Sequence, residues 1–208
     1  MSHRLILGGV SIAIDDVPLL TVDADIGPGE VLTVTGKSGS GKSTLLAYLA
    51  GFIDPVFSAR GRVLLDGVDI TERPAETRRI GLLFQDALLF PHLSVIGNLM
   101  FGMVPGRGRP DRAAAALADA GLAGFEDRDP GTLSGGQQAR VALLRLLLSD
   151  PHAVLLDEPF SKLDAHLRGE IRALVFDRLR VAGLPAVLVT HDVADVATAK
   201  GQVLNLDT

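Results

Sequence analysis

Residues Gly36-Lys37-Ser38-Gly39-Ser40-Gly41-Lys42-Ser43-Thr44 form a complete G-x-x-x-x-G-K-[ST] string, the pattern of a loop built to hold phosphate. Glycines let backbone N–H groups curl around anionic oxygens with no Cβ in the way. A helix beginning after the loop would add its positive amino end. In this pattern Lys42 bridges the outer two phosphates of a nucleoside triphosphate, and the Ser43 hydroxyl ligates Mg²⁺. A second chemical signal follows the apolar run Ala153–Leu156, which ends in Asp157-Glu158. Consecutive strand residues point to opposite faces, so the two acids can divide their tasks. Asp157 would belong to the Mg²⁺ shell, and Glu158 would polarise the attacking water as general base. Alone, an Asp-Glu pair is an ordinary strand end; behind a phosphate loop it becomes catalytic equipment.

A third signal is Leu133-Ser134-Gly135-Gly136-Gln137, leading into Gln138-Ala139-Arg140-Val141-Ala142-Leu143-Leu144-Arg145. Ser134 is a good helix cap, and Gly135 and Gly136 leave first-turn amides open to an anion. Val141, Leu144 and Leu148 fall on one helical face and anchor that helix in a core. One chain has no use for two phosphate cradles around one nucleotide. A head-to-tail pair of chains does, each Gly36 loop being closed by the other copy's Ser134 turn.

The elements that must position these residues alternate between β-type and helical runs, the pattern of a parallel sheet layered with helices. Expected strands are Arg4–Val10, Leu19–Ile26, Val31–Thr35, Arg62–Leu65, Ile80–Phe84, Ala153–Leu156, Ala186–Val189 and Val203–Leu206, with a hairpin turn at Asp66-Gly67. From Val95 to about Leu122 the chain favours helix, interrupted by a Pro/Gly loop over Pro105–Pro110. The organisation expected is one α/β domain over 1–208. Residues 1–85 and 133–208 form its core with an antiparallel β-subdomain, and 86–132 form an inserted helical subdomain.

Composition narrows the function classes. The 208 residues are 47% hydrophobic and 22% charged, enough for a sizeable core and unlike a disordered chain. With 20 Lys+Arg against 25 Asp+Glu the net charge is −5, which argues against general nucleic-acid binding. The absence of cysteine excludes disulfides, thiolate metal sites and a Cys nucleophile. Aromatic residues are only 4% and Trp is absent, so stacking platforms are scarce. Neither a targeting segment nor an apolar run long enough for a bilayer is visible. The mean hydropathy of +0.32 fits either an Ala/Leu/Val-rich core or a surface docked on a hydrophobic partner.

Taken together, the motifs resemble the ATP-binding subunits of ABC transporters over essentially the whole chain. Leu133–Gln137 matches that family's signature letter for letter, Gln85 ends the Ile80–Phe84 run as the Q-loop glutamine does, and Ser161-Lys162-Leu163-Asp164 looks like the D-loop. His191, after Thr190, takes the H-loop position. The fold implied is the P-loop ATPase core of that family, with ATP and Mg²⁺ as its ligands. By the resemblance, Gln85 senses Mg²⁺ and the attacking water and joins the metal shell, and His191 contacts the γ-phosphate and orients Glu158. Asp164 then reaches across an ATP-dependent homodimer.

Two departures stand out. Lys162 occupies a D-loop position where a small residue is usual. Where the family carries an adenine-stacking aromatic this chain has Ile12-Ala13-Ile14-Asp15-Asp16, with Ile14 the counterpart. An aliphatic cover loses a stacking contribution of about 1–3 kcal/mol per base, implying weaker base selectivity and a higher KM with phosphate chemistry intact.

The Phe84–Val95 stretch, with Asn98-Leu99, is similar to the segment after the Q-loop in bacterial importer ATPases, the short ones in particular. That implies permease subunits docking near the Q-loop and helical subdomain, with Leu88, Leu89 and Phe90 as a groove floor or as plain core. It also implies a solute-binding protein and a cytoplasmic position on the inner membrane face. With about 17 residues after His191, no C-terminal regulatory domain of the kind longer ATPases carry is expected. The alternatives are a soluble ABC ATPase uncoupled from transport, an exporter ATPase, or an inactive nucleotide-binding scaffold. Short motif spacing without heptads argues against the soluble type, and intact Lys42, Asp157, Glu158 and His191 against the scaffold.

Overall fold

The computed structural model describes residues 3–207, apart from the side chain of His166. The chain divides into two compact units, one holding the chain through Leu82, His152–Glu158 and the chain from Phe176, the other Leu83–Pro151 and Pro159–Val175.

The first unit contains two sheets. β1 (Leu5–Ile14), β2 (Val17–Ile26), β4 (Phe57–Leu65) and β5 (Val68–Asp69) form an antiparallel sheet in the order β2-β1-β4-β5. Alternating burial along β2 marks one face turned to the core and one to water. Asp15 and Asp16 both adopt positive φ, 48° and 62°, the primed turn whose twist suits a two-residue hairpin. Asp66-Gly67 makes the expected turn between β4 and β5. β4 starts earlier than the sequence suggests, at Phe57 rather than Arg62, because its half-exposed segment Ser58-Ala59-Arg60-Gly61 carries no apolar alternation.

The second sheet runs β6-β7-β8-β3-β9, from β3 (Val31–Thr35), β6 (Ile80–Leu83), β7 (Ala153–Asp157), β8 (Ala186–Val189) and β9 (Gln202–Asn205). β7, β8, β3 and β9 pair in parallel. Ala153–Leu156 and all of β8 are fully buried, as continuously apolar strands in such a sheet must be. Helix α1 (Lys42–Ala50) follows β3, and Leu45, Leu46 and Leu49 anchor it in the core that both sheets share.

The far end of α1 is closed by a buried cation. Arg78, 5% exposed, donates to the carbonyls of Tyr48 and Leu49 in the last turn, and to those of Arg73 and Thr71. A cation at a helix carboxyl end meets both the last-turn carbonyls and the negative pole. Burial pushes the Arg78 guanidinium below its ordinary pKa, and its carbonyl partners supply the compensating hydrogen bonds.

Two carboxylates organise the β4–β5 edge. Asp66 accepts from Nδ1 of His3 at 2.8 Å and of His152 at 2.9 Å, and its second oxygen takes the Arg4 N–H. These are metal-ligand residue types, yet Arg79 donates to His152 Nε2 at 3.0 Å, which puts that ring's proton on Nδ1 and commits the trio to hydrogen bonding. Asp69 accepts from the Thr71 hydroxyl, the Thr71 N–H and Arg62, which together hold its carboxyl down from 3.8 to about 2. A depressed folded-state pKa contributes stability above the unfolded value that is lost as pH falls through the folded one. The melting temperature is therefore expected to decline between about pH 4 and pH 2. Asp69→Asn should lower it at neutral pH and flatten that decline, as followed by circular dichroism.

The second unit is helical. α2 (Val95–Gly102), α3 (Arg109–Asp119) and α4 (Gly135–Leu148) enclose a core of Val95, Leu99, Leu117, Val141 and Leu144. α3 begins inside the expected Pro105–Pro110 loop, since Gly108 in the left-handed region (φ 74°) caps it and Pro110 sits in its first turn, where no N–H is needed. Asn98 is wholly buried on α2; it accepts the Phe90 N–H and donates to the carbonyls of Phe90, Leu93 and Ser94. Arg145 on α4 donates to the carbonyls of Ala87 and Leu88. These bonds fold the segment after Gln85 tightly, with Leu88 at φ 43°. α5 (Ala165–Ala182) and α6 (Val193–Ala199) complete the chain's helices. Among the described residues no helix is long and apolar enough to cross a membrane.

Candidate functional site

Three parallel strands of the first unit deliver their chemistry at their carboxyl ends, where open α/β sheets bind ligands. β3 runs into the Gly36 loop, β7 ends at Asp157 and continues to Glu158, and β8, lying between them in the sheet, leads through Thr190 to His191. A cleft of about 650 Å³ is lined by Gly36–Gly39, Gly41–Thr44, Glu158 and His191 on its polar side and by Ile14, Leu19 and Phe57 on its apolar side.

The loop is shaped by its glycines. Gly41 has φ 88°, a backbone conformation that other residues rarely adopt, and a Cβ there would lie 2.8 Å from Leu20 Cδ2. No side chain caps α1, which leaves its first amides for a ligand. Lys42 folds back over the loop, its Nζ 2.7 Å from the carbonyls of both Gly36 and Lys37. Ser40 does not line the cleft; its hydroxyl is buried behind Gly36. The Lys37 N–H donates to Asp207, tying the loop to the strand end after β9.

The Ser43 hydroxyl lies 3.5 Å from Asp157 Oδ1. Burial pushes the Asp157 carboxyl above the usual carboxylate range, opposed by Ser43, reinforced by Glu158 and opposed again by Lys42. A hydroxyl and a half-buried carboxylate facing each other are hard oxygen donors of the kind Mg²⁺ takes. Glu158 sits at φ 45°, a left-handed conformation costly for a non-glycine residue, and its N–H donates to Val189. Its Oε1 is 3.2 Å from His191 Nδ1. The turn bearing His191 is stiffened from below: buried Thr190 donates to buried Asp195 at 2.6 Å and accepts the Asp192 N–H, while Asp192 caps α6 through Ala194 N–H.

The second unit holds the remaining sequence-identified residues. Ser134 caps α4 reciprocally with Gln137: Ser134 Oγ accepts the Gln137 N–H, and Gln137 Oε1 accepts the Ser134 N–H. Gly135 is open to solvent, whereas Gly136 is buried against Leu167, whose Cδ2 would lie 2.1 Å from an added Cβ. Gln85 lines a smaller cavity of about 130 Å³ with Gly135, Gln138 and Lys162. Lys162, the unusual D-loop residue, pairs with Asp86 beside Gln85. Asp164 accepts the Leu167 N–H at the start of α5. Thus Ile14, the Gly36–Thr44 loop, Asp157, Glu158 and His191 belong to one unit, and Gln85, Ser134–Gln137 and Asp164 to the other.

Four residues of this architecture escaped the sequence reading. Leu19 enters the cleft because β2 is irregular there, Ile12 facing Leu20 and Ala13 facing Pro18. Phe57 arrives from β4 as the cross-strand partner of Ile14. Thr190 and Asp195 build the histidine turn, and only a T-H-D-x-x-D string hints at them.

An anion-cradling loop leaving one buried parallel strand, with a carboxylate from a second strand reaching its serine, is the construction of a P-loop nucleoside triphosphatase. Residues 19–161 match the ABC transporter family, and the chain belongs to it, as an ATP-hydrolysing subunit. The ABC transporter ATP-binding protein YnjD of Escherichia coli (strain K12) is 44% identical over 206 residues, covering 97% of this chain and 94% of that protein. The thiamine import ATP-binding protein ThiQ of Jannaschia sp. (strain CCS1) is 44% identical over 192 residues, covering 90% of this chain and 82% of that one. The spermidine/putrescine import ATP-binding protein PotA of Frankia alni is 44% identical over 186 residues, covering 88% of this chain and 39% of its own length.

Proposed function

We propose that two copies of this chain bind two ATP between them, close head to tail, and drive solute import through a pair of membrane permease subunits. The observation that carries the reaction chemistry is the Glu158–His191 contact at 3.2 Å in the same cleft as the Gly36 loop. The loop amides and Lys42 hold the phosphates. Glu158 accepts a proton from the attacking water, and His191 keeps that carboxylate aimed while facing the γ-phosphate. Ser43 and Asp157 would hold Mg²⁺. The ion supplies charge neutralisation to the phosphate oxygens.

Closure in trans is supported by Ser134–Gln137, a second anion-ready helix tip held rigid by its capping box. Asp164 is the residue assigned to the partner's loop. Work comes from differential affinity: ATP stabilises the closed pair, ADP does not, and the difference biases the transporter between its states. Import as the direction is supported by relatives whose names specify import of thiamine and of spermidine/putrescine. Permease docking is supported by exposed apolar side chains on the second unit: Phe84, Leu88, Phe101 and Val104, with the Phe90 ring tilted against Phe101 at 4.4 Å. The protein on this reading is peripheral to the inner membrane face and serves a permease fed by a solute-binding protein.

Mixing subunits tests the shared site. In a heterodimer of Ser134→Arg with Lys42→Ala chains, one composite site carries both lesions and the other carries neither. ATPase activity of an equimolar mixture should recover part of the wild-type rate, while each variant alone stays inactive. Activity in pure Ser134→Arg protein equal to wild type would contradict sharing.

A further inference from the structure

The position at which this family supplies an aromatic to adenine is aliphatic here, Ile14. Ile14 is the last residue of β1, and its directly opposite partner on β4 is Phe57. Residues opposite one another in an antiparallel pair project to the same face, about one strand spacing apart. Both line the cleft that contains the Gly36 loop, and Leu19 lines it with them. The Phe57 backbone is pinned by its own turn: Asp54 accepts the Val56 N–H through its side chain and the Phe57 N–H through its carbonyl. Part of the side chain packs on the core beneath the sheet, and part faces the cleft.

We propose that Phe57 is the base-stacking residue of this ATPase, an aromatic platform displaced by one strand, with Ile14 and Leu19 completing an apolar wall for adenine. The inference rests on the ATP-hydrolysing reading of the cleft and specifies what holds the base there. It revises the expectation of a higher KM, because an aromatic ring lines the cleft although the local string around Ile14 contains none. Stacking is tolerant of base identity but absent from a bare phosphate chain. The platform should therefore raise affinity for nucleotides and leave affinity for inorganic tripolyphosphate unchanged.

The test compares Mg·ATP and Mg·tripolyphosphate binding by isothermal titration calorimetry, with steady-state ATPase kinetics alongside. Phe57→Leu keeps apolar volume and removes the ring; it should weaken ATP binding roughly ten-fold and raise KM similarly. Its kcat at saturating ATP and its tripolyphosphate affinity should match wild type. Phe57→Tyr should preserve ATP affinity, and adding Ile14→Tyr to Phe57→Leu should restore it. Unchanged ATP affinity in Phe57→Leu overturns the proposal, as does an equal loss for ATP and tripolyphosphate, which would make Phe57 a packing residue only. A wild-type protein that binds neither ligand would instead defeat the ATPase reading.

Discussion

Glu158→Gln should reduce steady-state ATP turnover by about 10²–10⁴-fold, the usual contribution of a positioned general base. The amide keeps the size and hydrogen-bonding reach of the carboxylate, so the contact with His191 and the φ of 45° at this residue need not change. What disappears is a group able to take the proton from water. On the proposed reading the nucleotide is held by the loop amides and Lys42, which the substitution leaves intact. ATP should therefore be bound and held, and the closed pair should persist as a slowly dissociating dimer on gel filtration with ATP and Mg²⁺. Normal turnover in Glu158→Gln would remove this residue from the role of base and shift attention to His191.

Arg78→Met should destabilise the first unit by about 3–5 kcal/mol, because several carbonyls gathered around the guanidinium would each lose a donor at about 1–3 kcal/mol. The carbonyls of Leu49, Thr71 and Arg73 lose the guanidinium together, the Tyr48 carbonyl keeps only the Gly51 N–H, and Tyr48 and Leu49 end the helix that follows the phosphate loop. In a chain of this size that corresponds to a fall in melting temperature of about 10 °C, readable by scanning fluorimetry. Arg78→Lys should recover only part of it, because a point ammonium lacks the planar fork that reaches carbonyls on several sides. A shift below about 2 °C in Arg78→Met would show those carbonyls to be satisfied otherwise.

What could be read along the chain was local in sequence. The Gly36–Thr44 loop, Asp157-Glu158 at the end of an apolar run, and Ser134 with Gln137 at a helix start each carry their meaning within a few neighbouring residues. The parallel strands Val31–Thr35 and Ala186–Val189 were legible to the residue because strands buried on both faces are continuously apolar. The edge segments were not. Ser58–Gly61 is strand without alternation, and the pairing of Phe57 with Ile14 depends on β-sheet register between distant segments. Arg78 carries no local signal, since nothing in its neighbouring residues shows that carbonyls from α1 and the preceding turn converge on it. Lys162 was noticed as unusual, but its partner Asp86 could be found only once the second unit was folded.

The bracing of the Ala87–Ser94 segment by Asn98 and Arg145 has a mechanical consequence. A soft loop at this place would absorb displacement by bending. Here, hydrogen bonds at both ends make the segment a stiff strut, one of whose anchors is α4 itself. Pressure on Leu88 or its neighbours is thus delivered as torque on the rod whose tip is Ser134. The lever needs no moving joint of its own, only a load applied to its short arm.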